Sequence, residues 1–210
     1  MTDSRLSKAG QKGRRQFLNA SWRAISGLAV GGLLSTSATT LAQPARLAGR
    51  KILILHHSRT GHTRTIAGQI HDLAGGELVE IEPVELYPAD YDALVAQNAE
   101  EQRTGYLPPL RTTIGNIADY DVIFIGSPLW NVRLTPPVRS FLASHDLAGK
   151  IIAPFVTYIV SGLGRSRRDI EELCPDAAVL PGLAVLGEEA DGAESKVRAW
   201  LGALPVARAG

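Results

Sequence analysis

The chain is poor in the features that commit a protein to chemistry of its own. It has 210 residues and one cysteine, Cys174, so no disulfide can form within it and a disulfide scaffold is excluded. Neither a Gly-Lys-Ser/Thr phosphate loop nor a G-x-G-x-x-G fingerprint is present. The two stretches nearest to a hydrolase nucleophile elbow, Ile159-Val160-Ser161-Gly162-Leu163 and Ile125-Gly126-Ser127-Pro128, both fail the G-x-S-x-G pattern. An excess of one charge is also missing: 22 Lys and Arg against 21 Asp and Glu give a net charge of +1. Nucleic-acid binding calls for a basic domain, and nothing here argues for it. No apolar run reaches the ~20 residues that span a bilayer.

The near-neutral total conceals two segments of opposite sign. Residues 1–42 carry six basic residues and one acid, leaving sixteen basic and twenty acidic residues after Ala42. Within that first segment a basic stretch precedes the weakly apolar run Ala24 to Leu34, and Thr40-Leu41-Ala42 follows with small residues suited to cleavage. That order is the layout of a secretory signal. Arg14-Arg15-Gln16-Phe17-Leu18 resembles the twin-arginine signal of the bacterial Tat pathway. The resemblance implies export through the Tat translocon to the periplasm, with no transmembrane anchor after cleavage. Residues 43–49 then read as a linker and 50–205 as one domain.

After the linker, strand and helix patterns alternate. Lys51 to His56 is a short apolar run of the kind buried on both faces. Ile66, Ala67, Ile70, Leu73 and Ala74 repeat at helical spacing until Gly75-Gly76. Further strands are expected at Leu78–Ile81, Val122–Gly126, Ile151–Thr157 and Ala178–Leu186. Helices are expected near Asp90–Gln102, from Pro136-Pro137 onward, at Ser166–Leu173 and at Asp191–Leu204. Such alternation implies βαβ units, and right-handed crossovers make the sheet parallel and covered on both sides. Five strands fit a doubly wound α/β domain, which binds ligands at the carboxyl ends of its strands.

The loops at those ends carry the polar chemistry. His57-Ser58-Arg59-Thr60-Gly61-His62-Thr63 supplies three hydroxyls, a glycine for a tight turn and the free N–H groups of a helix start, a site for a monophosphate. His62 either donates to the phosphate or faces solvent. His56 and His57 point to opposite faces of a strand, which argues against a paired metal site. Cys174 reads as a buried small hydrophobe. Arg165, Arg167 and Arg168 form either a solvated helix start or a contact for an acidic partner or a nucleotide phosphate. Tyr87, Tyr91 and Tyr106 flank a long connection that serves as a lid or simply covers the sheet.

Ser58-x-Thr60-Gly61-x-Thr63 after its strand resembles the phosphate loop of the flavodoxins. Gly126-Ser127-Pro128-Leu129-Trp130-Asn131 followed by Pro136-Pro137 resembles a flavin-contacting loop of one flavodoxin-like family, and Thr157-Tyr158-Ile159-Val160-Ser161-Gly162-Leu163-Gly164 resembles its second flavin loop. The resemblance spans about residues 50–204 and implies a three-layer αβα sandwich with strand order 2-1-3-4-5. It also implies FMN as cofactor: Ser58, Thr60, Gly61 and Thr63 with the amides of Arg59 and His62 on the phosphate, and Ser127, Pro128, Leu129, Trp130, Asn131, Thr157, Tyr158, Ser161 and Gly162 around the ring. The chain departs from the pattern at Asn131 and Val132, where a second aromatic and a glycine are usual, and at Ile159 and Val160, which replace glycines. The implied functions are electron transfer with a redox partner protein, NAD(P)H:quinone-type reduction, or a flavodoxin module that has lost its flavin. Chemistry would belong to the flavin, so no catalytic acid, base or nucleophile is assigned.

Overall fold

Ile52–His56 forms β1, and all five of its residues are buried. Its side chains alternate as strand geometry requires: Ile52 and Ile54 enter one apolar cluster, Leu53 and Leu55 another on the opposite face. A computed structural model describes residues 46–206 of the chain; the expected export signal lies outside them. Among the described residues no helix is long and apolar enough to cross a membrane. Leu47, inside the stretch expected as a linker, is fully buried in the first cluster.

The remaining strands are β2 (Glu77–Glu80), β3 (Val122–Trp130), β4 (Arg133–Leu134), β5 (Ile151–Tyr158), β6 (Ala178–Val179) and β7 (Leu183–Leu186). The helices are α1 (His62–Ala74), α2 (Tyr91–Thr104), α3 (Pro136–Ser144), α4 (Ser166–Leu173) and α5 (Glu194–Ala203). The parallel sheet runs β2-β1-β3-β5, with β6 and β7 both paired to the outer side of β5. This is the expected order, with its fifth strand in two pieces. Ile152 opposes Val179 and Phe155 opposes Leu183, so the edge carries one extra residue, a bulge at Leu180-Pro181-Gly182. Pro181 has no N–H to give to a ladder, which explains the interruption of a run that reads as one strand in the sequence.

Helices α1 and α5 cover one face of the sheet, where Ile66, Ile70, Val197 and Leu201 meet Phe124 and Phe155. On the other face α3 and α4 bring Val138, Phe141, Leu142 and Ile170 to Ile123, Ile125 and Val156. Pro136 and Pro137 occupy the first turn of α3, where a missing N–H costs nothing. The last helix begins later than its expected Asp191 start, because Gly187–Gly192 forms a 3₁₀ turn first.

β3 outruns its expected end at Gly126. It continues through Trp130 and folds back on β4, pairing Leu129 with Leu134 and Trp130 with Arg133. The stretch expected as a loop is therefore mostly strand. The turn itself is Asn131-Val132, with φ of 50° and 59°. Two-residue hairpins favour such left-handed pairs because their twist matches the strands, and asparagine and glycine tolerate them best. Valine, branched at Cβ, is strained there. Replacing Val132, which is half exposed, with glycine is expected to stabilise the protein by about 0.5–1 kcal/mol, raising its Tm by a few degrees in a thermal melt. An unchanged or lower Tm would show that the valine packs well enough to offset the strain.

Candidate functional site

The chain leaves β1 with His57 still bonded into the sheet, its N–H donating to the Gly126 carbonyl at 3.0 Å. It then turns sharply into α1 through Gly61, whose φ is 95°, a conformation costly for any residue with a Cβ. No side chain caps this helix start, so its first-turn donors and partial positive charge stay available to an anion. Nearby, the Ser58 Oγ is enclosed without a hydrogen-bond partner. A buried hydroxyl left unpaired costs on the order of 1–3 kcal/mol, which a phosphate oxygen would recover. Arg59 donates from Nη2 to the Ala89 carbonyl at 2.7 Å, tying this loop to the start of α2. Thr63 is buried, and its hydroxyl bonds to that of Thr157 at 2.8 Å.

The β3–β4 hairpin forms the next part of the site. Trp130 meets Tyr87 edge to face at 4.9 Å between ring centroids and His57 at 5.5 Å. Burial pushes the His57 imidazole down to about 4, so it is neutral near pH 7, and its Nδ1 lies 3.1 Å from Thr135 Oγ1. Tyr87 donates its hydroxyl to Glu101 at 2.7 Å, and burial followed by this bond raises its pKa above the ordinary range. Ser127 is fully buried: its hydroxyl donates to the Pro128 carbonyl and accepts from the Thr135 N–H, bracing the strand end from within.

The second expected flavin loop packs behind the hairpin. Arg165 N–H donates to the Val132 carbonyl at 2.8 Å. Gly164 has φ of 50°, and a Cβ there would sit 2.4 Å from that same carbonyl. Arg133 of β4 grips Asp169 of α4 at 2.7 and 3.0 Å, and the Leu134 N–H donates to the other carboxylate oxygen at 3.0 Å. Arg167 and Arg168 pair with Glu171 and Glu172 one turn along α4.

Together these elements border a cleft of about 850 Å³ at the carboxyl end of the sheet. Of the residues expected around a ligand, Arg59, Thr60 and His62 line it at one side. Pro128, Leu129, Trp130 and Asn131 line it from the hairpin, with Thr157 and Tyr158 from β5. Ser58, Gly61, Thr63, Ser127, Ser161 and Gly162 do not border it directly. Leu186, Gly187 and Glu188 contribute a side that sequence reasoning missed. So does α2, through Tyr91, Leu94, Val95, Asn98 and Ala99, although the i, i+3, i+4, i+7, i+8 spacing of that face was there to be read. Of the tyrosines flanking the long connection, Tyr87 thus packs inward and Tyr91 faces the cleft, while Tyr106 is half exposed. Cys174 takes no part, since it is buried with its thiol pushed up to about 11. No group of three or more metal-ligating side chains occurs among the described residues.

The flavodoxin family profile matches residues 51–204, the whole α/β domain. The chain belongs to the flavodoxin family. Its flavodoxin domain resembles the crystal structure of a candidate flavoprotein from Bacteroides eggerthii, with 29% identity and a TM-score of 0.65 over 72% of this chain and 96% of that one. A flavoprotein from Lactobacillus acidophilus, solved in complex with FMN, shares the fold at 24% identity and a TM-score of 0.59, over 68% and 97% of the two chains. An NAD(P)H dehydrogenase (quinone) from Paracoccus denitrificans is 30% identical over 119 residues, 50% of this chain. The chain spans about half the length of that relative.

Proposed function

We propose that this flavodoxin is exported, holds FMN noncovalently in the cleft and uses it for electron transfer. The observation that carries the cofactor reading is the phosphate end: an uncapped, left-handed entry into α1 beside an enclosed, unpartnered Ser58 hydroxyl. Ser58 and Thr60, with the amides of Arg59 and His62, hold the phosphate, and Gly61 lets the chain turn around it. Thr63 acts at one remove, through its bond to Thr157. Trp130 and Tyr158 flank the ring, with Trp130 steadied by Tyr87 and His57 so that its position does not depend on the flavin. Bound there, FMN supplies one- and two-electron chemistry. The protein supplies position and exclusion of water. Export rests on the three-part N-terminus and its twin arginines.

Ile159 and Val160 motivate the rival reading of a module without flavin. Both side chains are largely exposed, at 82% and 90%, and Ile159 stands on the border of the cleft where the resemblance implies a glycine. A second functional reading, an FMN-dependent NAD(P)H:quinone-type reductase, is supported by the similarity to the Paracoccus enzyme and by the cover that α2 places over the cleft.

The deciding experiment is a spectrum of the purified protein before and after addition of FMN; a protein that stays colourless sinks the flavin reading. Ser58→Ala combined with Thr60→Ala is expected to weaken FMN binding by about a hundredfold or more, because hydrogen bonds to a charged phosphate contribute about 1.5–3 kcal/mol each. Riboflavin, which lacks the phosphate, should bind the variant and the parent protein alike. Equal losses for the two ligands would refute the phosphate assignment. Oxidation of NADH by the loaded protein then separates the reductase from a carrier served by a partner protein.

A further inference from the structure

Helix α2 differs from the other four. They pack into the two core clusters, whereas Leu94, its most buried apolar side chain at 4% exposed, belongs to neither. Its apolar face, Tyr91, Leu94, Val95 and Ala99, instead looks into the cleft, opposite Leu129, Trp130 and Tyr158. The helix is held there by polar ties. Gln102 donates from Nε2 to the Trp130 carbonyl at 2.8 Å and accepts from Asn131 Nδ2 at 3.1 Å, while Glu101 accepts from Tyr87 and from Gln97. An apolar helix face kept off the core and aimed at a cavity is a surface for a ligand.

One polar group interrupts that face. Asn98 is 5% exposed and borders the cleft. Its Oδ1 accepts from Gln102 Nε2 at 3.2 Å, and Nδ2 donates to no described residue. Such an unspent donor favours a ligand with a carbonyl acceptor over one without. The cleft residues of α2 carry no charge. Elsewhere on its border Arg59 is the one guanidinium; it is already engaged by Ala89 and sits at the phosphate loop. A second phosphate-bearing ligand would therefore find little to neutralise it. At about 850 Å³ the cleft is near the upper end of the ~300–1,000 Å³ usual for a single ligand site.

We propose that the α2 wall is the binding surface for the electron acceptor, an uncharged, planar, carbonyl-bearing compound of the quinone class, and that Asn98 Nδ2 donates to its carbonyl oxygen. The proposal rests on the reading of the cleft as an FMN site. Reduction of such a quinone to its hydroquinone takes two electrons from the reduced flavin and two protons from the flavin and water. Asn98 thus sets acceptor preference, selecting a carbonyl compound and holding it over the hairpin.

Equilibrium dialysis of menadione against the oxidised, FMN-loaded full chain tests this without reliance on turnover. Asn98→Leu is expected to raise the dissociation constant several-fold, up to about tenfold, the worth of one neutral hydrogen bond. Asn98→Asp should raise it further by turning an acceptor toward the carbonyl. Ala96→Asn, which adds the same amide at a position that does not border the cleft, should leave it unchanged. Equal menadione binding by Asn98→Leu and the parent protein overturns the proposal. So does an equal loss in Ala96→Asn, or a loss of NADH rather than menadione affinity in Asn98→Leu. Should Asn98→Leu fail to fold, Val95→Glu on the half-exposed rim of the same wall decides in its place: weakened menadione binding supports the wall, and undiminished binding overturns it. A chain that takes up no FMN is recognised by its missing yellow absorption before menadione is added, which separates failure of the flavin reading from failure of the wall.

Discussion

Asp169→Ala is expected to destabilise the protein by about 3–5 kcal/mol, the usual consequence of removing one partner from a buried ion pair. The Asp169 side chain is fully buried and that of Arg133 is 19% exposed. Three donors converge on the carboxylate: Arg133 Nε, Arg133 Nη2 and the Leu134 N–H. The surroundings make the loss worse, because the Arg139 guanidinium, partly buried on α3, is already held below its ordinary pKa by burial and then by Arg133. At roughly 2–4 °C per kcal/mol for a chain of this size, the Tm should fall by about 10 °C. Arg133→Met made together with Asp169→Ala removes the stranded charge and should recover part of the loss, though the Leu134 N–H stays unpaired. A fall of less than about 1 kcal/mol for Asp169→Ala would mean that water reaches Arg133 and compensates it. The same change should loosen the hairpin that carries Trp130, so FMN affinity is expected to fall along with stability.

Acid should destabilise the fold through His57. Its pKa is about 4 in the native state against an ordinary value of 6.5, chiefly because burial penalises the charged ring. The unfolded chain therefore binds a proton between pH 6.5 and 4 that the native state refuses. Stability from this group is fully present above pH 6.5 and is lost progressively as the pH falls toward 4, by roughly 3 kcal/mol in all at about 1.36 kcal/mol per pKa unit. His56 adds to the loss with the same sign, since burial lowers its pKa too, opposed by Glu80. Urea unfolding across that range measures the slope, and His57→Gln, which does not titrate, should reduce it. An identical slope in the variant would place the acid sensitivity elsewhere. Only below about pH 4 does the native ring itself take up the proton beside Trp130 and Tyr87, so release of FMN through this group is expected below that pH and not in the window above it.

Much of the architecture was legible because it is written in short-range periodicities. The run Ile52-Leu53-Ile54-Leu55 must be buried on both faces, and the spacing of Ile66, Ile70 and Leu73 marks a helix lying on one of them. The turn proposed to hold the phosphate was equally local, a strand end, a left-handed glycine and a helix start within a few residues. The length of β3 was harder to read. Gly126, Ser127 and Pro128 look like a loop taken alone, but β5 runs alongside and pairs as far as Pro128 with Thr157, and β4 folds back to pair with the rest. The roles of Thr63 and Ser127 were likewise hidden, since each hydroxyl is spent on a partner, Thr157 or Thr135, that only folding brings near.

The sequence by itself determined the alternating α/β order, the two-faced burial of the central strands and the anion-ready start of α1, because each depends on residues within one or two turns of each other. Tertiary structure alone decided that Trp130 leans on His57 and Tyr87, that Arg133 is neutralised by Asp169, and that α2 turns its apolar face to the cleft instead of the core. Those contacts join segments far apart along the chain. Their energies come from burial and from pairing of charges and hydrogen bonds, quantities that exist only once the segments have met.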